Sequence, residues 1–103
     1  MWYSLTMNSR EKIKEIIKET LVKKGADFVA LFGSFAKEEE KPASDIDILV
    51  NFKSPISLFD HAGIELELEE RIGKKVDLVT EHGLSKFIRP FIINELITLY
   101  ERR

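Results

Sequence analysis

The sequence predicts an α/β (α+β) domain built on a small mixed sheet of three or four strands. Short, almost wholly apolar runs, typical of strands buried on both faces, alternate with longer segments whose apolar residues recur at helical spacing. This alternation predicts a sheet covered by helices mainly on one side. The chain has 103 residues, enough for one core, and no repeat or linker divides it. We therefore expect a single domain over residues 1–103.

The first half of the chain predicts one helix and two strands. A capping Asn8 and an apolar stripe that stops at Gly25 predict the helix, with residues 1–8 as an irregular leader. The apolar runs 27–32 and 45–52 predict the strands. Between them, residues 35–41 are expected to form one or two helical turns.

The second half of the chain predicts a helix, a strand, a further helix and a C-terminal segment for which two structures are possible. Residues 58–72 form an amphipathic pattern that ends at Gly73, and residues 75–80 predict a third strand. Ser85 is expected to cap a further helix that has Pro90 near its first turn. Residues 96–101 are either an edge strand or the end of that helix. The apolar positions assigned to the 58–72 helix are Leu58, Phe59, Ala62, Leu66 and Ile72.

The composition of the chain argues against several classes of function. With 16 basic and 18 acidic residues the formal charge is −2, which argues against a dedicated nucleic-acid-binding protein. There are no cysteines, so disulfides and thiol catalysis are excluded. No apolar run reaches the length of a membrane span and no secretion signal is recognisable, so we expect a cytoplasmic protein.

Two aspartates are expected on one face of the second predicted strand. Because side chains alternate along a strand, Asp45 and Asp47 point the same way, about 7 Å apart. Two like charges there raise each other's pKa and destabilise the fold unless something neutralises them. Lys41 and Lys53 flank the strand and need not point inward. A divalent cation is the better counter-charge, because Mg²⁺ prefers carboxylate and phosphate oxygens.

A third aspartate, Asp77, lies between two apolar residues of the third predicted strand. If that strand lies beside the second, Asp77 converges on Asp45 and Asp47. Three carboxylates can hold two metal ions about 3.5–4 Å apart, which clamp the attacking and leaving oxygens of a phosphoryl displacement. The alternative, a set of caps and surface carboxylates, is disfavoured because all three interrupt apolar runs.

A Gly-Ser step, Gly33 and Ser34, ends the first predicted strand. A glycine there lets backbone approach a ligand closely, and the serine hydroxyl and following N–H groups can donate to phosphate oxygens. Taken alone, the pair is better explained as an ordinary turn. The nearby aspartates favour a phosphate site.

Together, Gly33-Ser34, the Asp45-x-Asp47 pair and Asp77 resemble the minimal nucleotidyltransferase (MNT) domain of the DNA polymerase β superfamily. This domain is the antitoxin of HEPN/MNT toxin–antitoxin pairs, and the resemblance runs from about residue 10 onward. It implies the palm-like nucleotidyltransferase fold. It also implies Mg²⁺-dependent transfer of AMP from ATP, with release of pyrophosphate, to a tyrosine of a partner HEPN toxin.

The resemblance also assigns roles. Asp45 and Asp47 would bind the metals, Asp77 would complete one metal site and act as or orient the base, and Gly33 and Ser34 would hold the β and γ phosphates. The family commonly has Arg-Gly after the alanine of this turn, where this chain has Lys37 and Glu38. Lys37 keeps a positive charge near the triphosphate but lacks the bidentate fork of arginine, and Glu38 adds a negative charge.

Two functions of different classes therefore stay open. One is an active nucleotidyltransferase, and the other is a binding module that neutralises its partner by occlusion alone. His61 and His82 have no spaced partner, so we expect surface or capping roles for them. The apolar C-terminal edge favours contact with a partner or formation of a homo-oligomer.

Overall fold

The computed structural model describes residues 9–39, 41 and 44–103. The predicted leader and the Asn8 cap lie outside the described residues. Helices and strands alternate as expected over most of the chain. In order, the elements are α1 (Ser9–Lys23), β1 (Ala26–Phe32), α2 (Gly33–Ala36), β2 (Ile46–Phe52), α3 (Leu58–Ile72), β3 (Val76–Thr80), α4 (Arg89–Ile92), a 3₁₀ turn (Ile93–Glu95) and β4 (Ile97–Glu101).

The four strands form one mixed sheet in the order β3-β2-β1-β4. β1 pairs antiparallel with β2 and with β4, whereas β2 and β3 are parallel and are joined through α3. The predicted mixed sheet is confirmed. The open choice at the C-terminus is settled in favour of an edge strand, since β4 pairs with β1.

The sheet is buried on both faces at β1, as the apolar run predicted. On one face α1 and α3 cover the main core, which includes Val29, Leu31 and Ile48. On the other face Phe28, Ala30 and Leu49 form a smaller buried cluster. The chain between β3 and β4 supplies part of its cover, through Leu84 and Leu96. Among the described residues, no helix is long and apolar enough to cross a membrane.

The apolar stripe predicted for α3 is wrong in phase except at Ile72, which packs against the main core as predicted. Leu58, Phe59 and Leu66 are exposed, and the buried residues of this helix are Ile64 and Leu68. Both sets recur at helical spacing, so periodicity alone could not choose between them. Polar side chains of α3 decide the orientation, because they bond to the edge of β3.

The outer edge of β3 is closed by three side chains of α3. The Leu78 N–H donates to Glu65 Oε2 at 2.8 Å, and the Val76 N–H donates to Glu69 Oε2 at 3.0 Å. His61 Nε2 lies 2.7 Å from the Leu78 carbonyl oxygen. His61 is thus half-buried against a strand edge, a role that the sequence did not indicate. The backbone groups that an edge strand leaves unpaired are satisfied within the chain.

Replacing Glu65 with alanine should lower the free energy of unfolding by about 1–2 kcal/mol, because the buried Leu78 N–H loses a charged acceptor. Urea denaturation measures this change. Glu70→Ala is the matched control, since Glu70 is exposed on the same helix. Equal losses in the two variants would contradict a stabilising role for the capped edge.

The helix predicted from Ser85 is mostly absent. Only α4 is α-helical, with Pro90 in its first turn as expected, and a 3₁₀ turn follows it. Leu84 and Leu96 both pack on the smaller apolar cluster, and Leu96 is already extended, with ψ of 137°. A regular helix cannot place both leucines on one sheet face and then enter β4, so the segment is broken into turns.

Candidate active site

The strand register brings two of the three predicted aspartates together. In the parallel pair Asp47 lies directly opposite Asp77, so both side chains project from the same face. In the antiparallel pair Asp47 lies opposite Phe32, the residue before Gly33. Asp45 is exposed and lies just before β2, because the strand predicted to begin at Asp45 begins one residue later, at Ile46. The end of β1 and the starts of β2 and β3 thus meet at Asp47.

The Asp47 carboxylate carries an uncompensated charge. Within the described ranges no side chain donates a hydrogen bond or forms an ion pair with Asp45, Asp47 or Asp77. Burial first, and then the charges of Asp77 and Asp45, together raise the pKa of Asp47 from 3.8 to about 6. A nearby positive charge would lower this pKa again.

The donor set fits a hard divalent cation. It consists of carboxylate oxygens, the ligands that Mg²⁺ prefers. In the part of the chain that the structure describes, no three His, Cys, Asp or Glu side chains are already gathered in position to hold a metal. Asp45 and Asp77 are exposed, and only Asp47 is partly enclosed. If a cation binds here, Asp47 is the least mobile of the three carboxylates, and the other two have room to turn towards it.

Gly33 is required by two features of the backbone at this point. Its φ is +74°, a left-handed conformation that favours glycine. A Cβ atom added to it would lie 2.2 Å from Asp47 Oδ2. The sequence suggested that this glycine opens space for a ligand. The structure shows that it opens space for the carboxylate that would hold one.

Ser34 is the second residue of the short helix α2, whose first-turn N–H groups have no partner within the helix. Lys37, predicted to contact phosphate, forms an ion pair with Glu95, with Nζ 3.2 Å from Oε2. Nothing in the sequence pointed to Glu95, which is 58 positions further along the chain. To contact a triphosphate, Lys37 must either break its ion pair with Glu95 or contact both groups at once.

The same turn is also held by Arg10, which the sequence did not single out. Its guanidinium carbon lies 4.1 Å from the centre of the Phe35 ring, and it donates to the Phe35 carbonyl oxygen. Phe35 is itself buried. The helix α1 therefore fixes the position of α2 by a stacked, hydrogen-bonded arginine.

Glu38 occupies a left-handed backbone position, with φ of +59°. We expect Glu38→Gly to raise the free energy of unfolding by about 0.5–1 kcal/mol, because glycine adopts this conformation without strain. It should also tighten ATP binding by removing a negative charge. Glu38→Gln separates the two effects, since it removes the charge and keeps the strain. Urea denaturation and calorimetric titration measure them, and a less stable Glu38→Gly protein would contradict the strain.

The comparisons with known proteins agree with this geometry. The family model described as "Polymerase beta, Nucleotidyltransferase" matches residues 11–103. The chain belongs to this nucleotidyltransferase family. A protein of Methanocaldococcus jannaschii, provisionally named a protein adenylyltransferase, is 42% identical over 91 residues, which cover 88% of this chain and 97% of that protein. The chain is accordingly a nucleotidyltransferase, and it is similar to proteins named protein adenylyltransferases.

Solved structures show the same fold for this nucleotidyltransferase. A toxin–antitoxin complex with AMP-PNP contains a chain of TM-score 0.79 and 21% identity, with 87% of this chain and 74% of that chain covered. A complex of a tri-AMPylated Shewanella oneidensis HEPN toxin with its MNT antitoxin gives TM-score 0.65 and 20% identity, with 91% and 71% covered. The nucleotidyltransferase fold expected from the sequence is confirmed.

Proposed function

We propose that this nucleotidyltransferase moves AMP from ATP to a tyrosine hydroxyl of a partner HEPN toxin in a Mg²⁺-dependent reaction, and so acts as an antitoxin. The observation that carries the proposal is the placement of Asp47 directly opposite Asp77, with Gly33 against the Asp47 carboxylate. The acceptor and nucleotide are supported by the adenylyltransferase name of the relative and by the AMP-PNP and AMPylated-toxin complexes of the structural neighbours. Use of ATP as substrate supports a cytoplasmic location for this protein.

Asp45, Asp47 and Asp77 would hold one or two Mg²⁺ ions, which supply charge neutralisation at the phosphates when bound. Asp47 would fix the position of the ions, because its carboxylate lies between Gly33 and the neighbouring strand β3. The first turn of α2, with the Ser34 hydroxyl, offers donors to the β and γ phosphate oxygens. Asp77 is exposed, so it can also meet the acceptor hydroxyl and accept or orient its proton.

In the balanced reaction the acceptor oxygen forms a bond to the α-phosphorus, and the bond from the α-phosphorus to the bridging oxygen of pyrophosphate breaks. The hydroxyl proton passes to a carboxylate or to water. Pyrophosphate leaves with the electron pair of the broken bond. The two phosphate groups that leave are those placed near Ser34, whereas the acceptor approaches from the side of Asp77.

The test is label transfer. We expect wild-type protein, Mg²⁺ and [α-³²P]ATP to label a HEPN-domain toxin from the same genome, and EDTA or Asp47→Asn to abolish the label. ATP labelled at the γ position should leave the toxin unlabelled, which separates AMP transfer from phosphorylation. Mass spectrometry locates the modified residue. Labelling from the γ position, or none from the α position, would contradict the proposal.

One observation favours the binding-module alternative. Lys37 is engaged by Glu95, and Glu38 places a negative charge in the turn that would receive phosphates. Co-expression of the HEPN toxin with an Asp45→Asn/Asp47→Asn double variant distinguishes the functions. Growth rescued by that variant would show that neutralisation needs no transfer, whereas loss of rescue supports catalysis.

A further inference from the structure

We propose that the HEPN partner docks on an exposed apolar patch beside the active site, through an apolar surface of its own that is flanked by acidic side chains. The inference rests on the proposed function, since it names the surface that receives the acceptor. The patch, here called the 87–93 patch, consists of Phe87, Ile88, Phe91 and Ile93.

The 87–93 patch is unusually apolar for a protein surface. Phe87 is 76% exposed and Phe91 is 77% exposed, while Ile88 and Ile93 are also exposed. Backbone hydrogen bonds of successive turns, from Ile88 to Ser85 and from Phe91 to Ile88, keep the aromatic and aliphatic side chains of the patch within one short stretch of chain. Adjacent large apolar side chains that face water mark an interaction surface more often than an accident of folding.

Both ends of the segment that carries the patch are anchored to the active site. Leu84 and Leu96 pack with Val79 on the smaller apolar cluster. Val79 lies two residues after Asp77 on the same face of β3, about 7 Å further along the strand. Near the other end Glu95 pairs with Lys37 of the phosphate turn. The patch therefore lies on the segment that joins the smaller apolar cluster to the phosphate turn, and we expect a protein bound there to lie close to Asp77.

The charges around the patch select the partner. Lys86 and Arg89 border it, with the Lys86 ammonium 5.7 Å from the centre of the Phe87 ring and Arg89 donating to the Glu81 carbonyl oxygen. No carboxylate in the described ranges forms an ion pair with either cation. In a symmetric dimer the same patch would face itself, and these cations would repel each other. A partner whose apolar surface is flanked by acidic side chains complements these cations, whereas a second copy of the chain does not.

A second exposed apolar group provides an internal control. Leu58 and Phe59 begin α3, on the helix-covered face of the sheet, whereas Leu84 and Leu96, which flank the patch in sequence, pack on the opposite face. Phe59 is 88% exposed, so its replacement removes a comparable apolar surface. The variants Phe87→Ser/Phe91→Ser and Leu58→Ser/Phe59→Ser are thus matched in chemistry and differ in position.

The experiment uses the full chain and the HEPN toxin that wild-type protein labels with [α-³²P]AMP. We expect Phe87→Ser/Phe91→Ser to raise the KM for the toxin about tenfold or more and to leave Mg²⁺-dependent ATP binding unchanged. The Leu58→Ser/Phe59→Ser control should behave as wild type. Lys86→Glu should also raise the KM, more strongly at low salt, whereas Lys23→Glu at the end of α1, on the other side of the sheet, should not.

The outcomes separate the two proposals. If wild-type protein labels no HEPN toxin, the proposed function fails, and this surface loses the partner assigned to it. If labelling occurs and Phe87→Ser/Phe91→Ser keeps the wild-type KM, the docking surface alone is overturned. Sedimentation that shows a dimer of the chain, lost in the same double variant, would overturn it in favour of a second copy.

Discussion

Asp47→Asn is expected to abolish AMP transfer and, at the same time, to stabilise the metal-free protein. Transfer should fall more than about 100-fold, because loss of a directly coordinating carboxylate exceeds the 10–100-fold effects known for residues that only support metal ligands. Stability should rise because asparagine has the same shape without the charge. The Asp47 carboxylate receives no hydrogen bond or ion pair in the described ranges that the substitution would break.

The expected gain in stability depends on pH. The pKa of Asp47 is raised from 3.8 to about 6 in the folded protein, first by burial and then by Asp77 and Asp45. Well below pH 3.8 the group is protonated in both the folded and unfolded states, and it costs nothing. As the pH rises from about 4 to 6 the unfolded chain releases this proton while the folded protein retains it, so stability falls, and the loss is complete above pH 6. Since Asp47 is only half-buried, solvent screening reduces the effect to about 1–2 kcal/mol.

Denaturation of wild-type protein and the variant in EDTA, at pH 4 and at pH 7, measures this difference. We expect nearly equal free energies of unfolding at pH 4 and a more stable variant at pH 7. Addition of Mg²⁺ and ATP should then stabilise wild-type protein and leave the variant unchanged. A variant that is less stable at pH 7 without metal would contradict the electrostatic account of the site.

Gly33→Ala is expected to damage both folding and the site. The left-handed φ of +74° costs a residue with a Cβ about 1–2 kcal/mol, and that Cβ would lie 2.2 Å from Asp47 Oδ2. Either the turn or the Asp47 carboxylate must move. We expect a total loss of stability of about 2–3 kcal/mol and a loss of Mg²⁺-dependent ATP binding, measured by denaturation and calorimetry.

A matched glycine isolates the contact from the strain. Gly73 has φ of +81° at the end of α3, and a Cβ there would meet no atom within 4 Å. Gly73→Ala should therefore show only the conformational cost. In an Asp47→Ala background, the cost of Gly33→Ala should fall to that of Gly73→Ala. If that cost is unchanged without the carboxylate, the contact with Asp47 plays no part.

Much of the site could be predicted from sequence because its parts follow local rules. Alternation along a strand puts Asp77 opposite to its apolar neighbours, and an apolar run followed by Gly-Ser predicts where β1 ends. The pairing of Asp47 with Asp77 needed one further condition, that β3 lies beside β2, and the structure meets it. Once that register is given, strand alternation alone brings the two carboxylates to the same face.

The features that sequence did not predict depend on contacts between distant segments. The phase of α3 is set by Glu65 and Glu69 reaching the edge of β3, and a hydrophobic pattern contains no such information. The pairing of Lys37 with Glu95 likewise depends on how the 84–96 segment folds back over the sheet. The apolar residues of the 87–93 patch recur at helical spacing, so the sequence predicted a further helix that carries them. In the structure they are exposed.

The two outer strands of the sheet, β3 and β4, differ in whether a strand from another molecule can pair with them. Side chains of α3 occupy the outer backbone groups of β3, and in the described ranges the outer edge of β4 has no such cover. A filament built by strand addition needs two open edges in every molecule, because each copy must both receive a strand and offer one. With a single open edge, association through the sheet ends at two molecules. The capped edge of β3 therefore prevents further strand addition, and the same strand also supports Asp77.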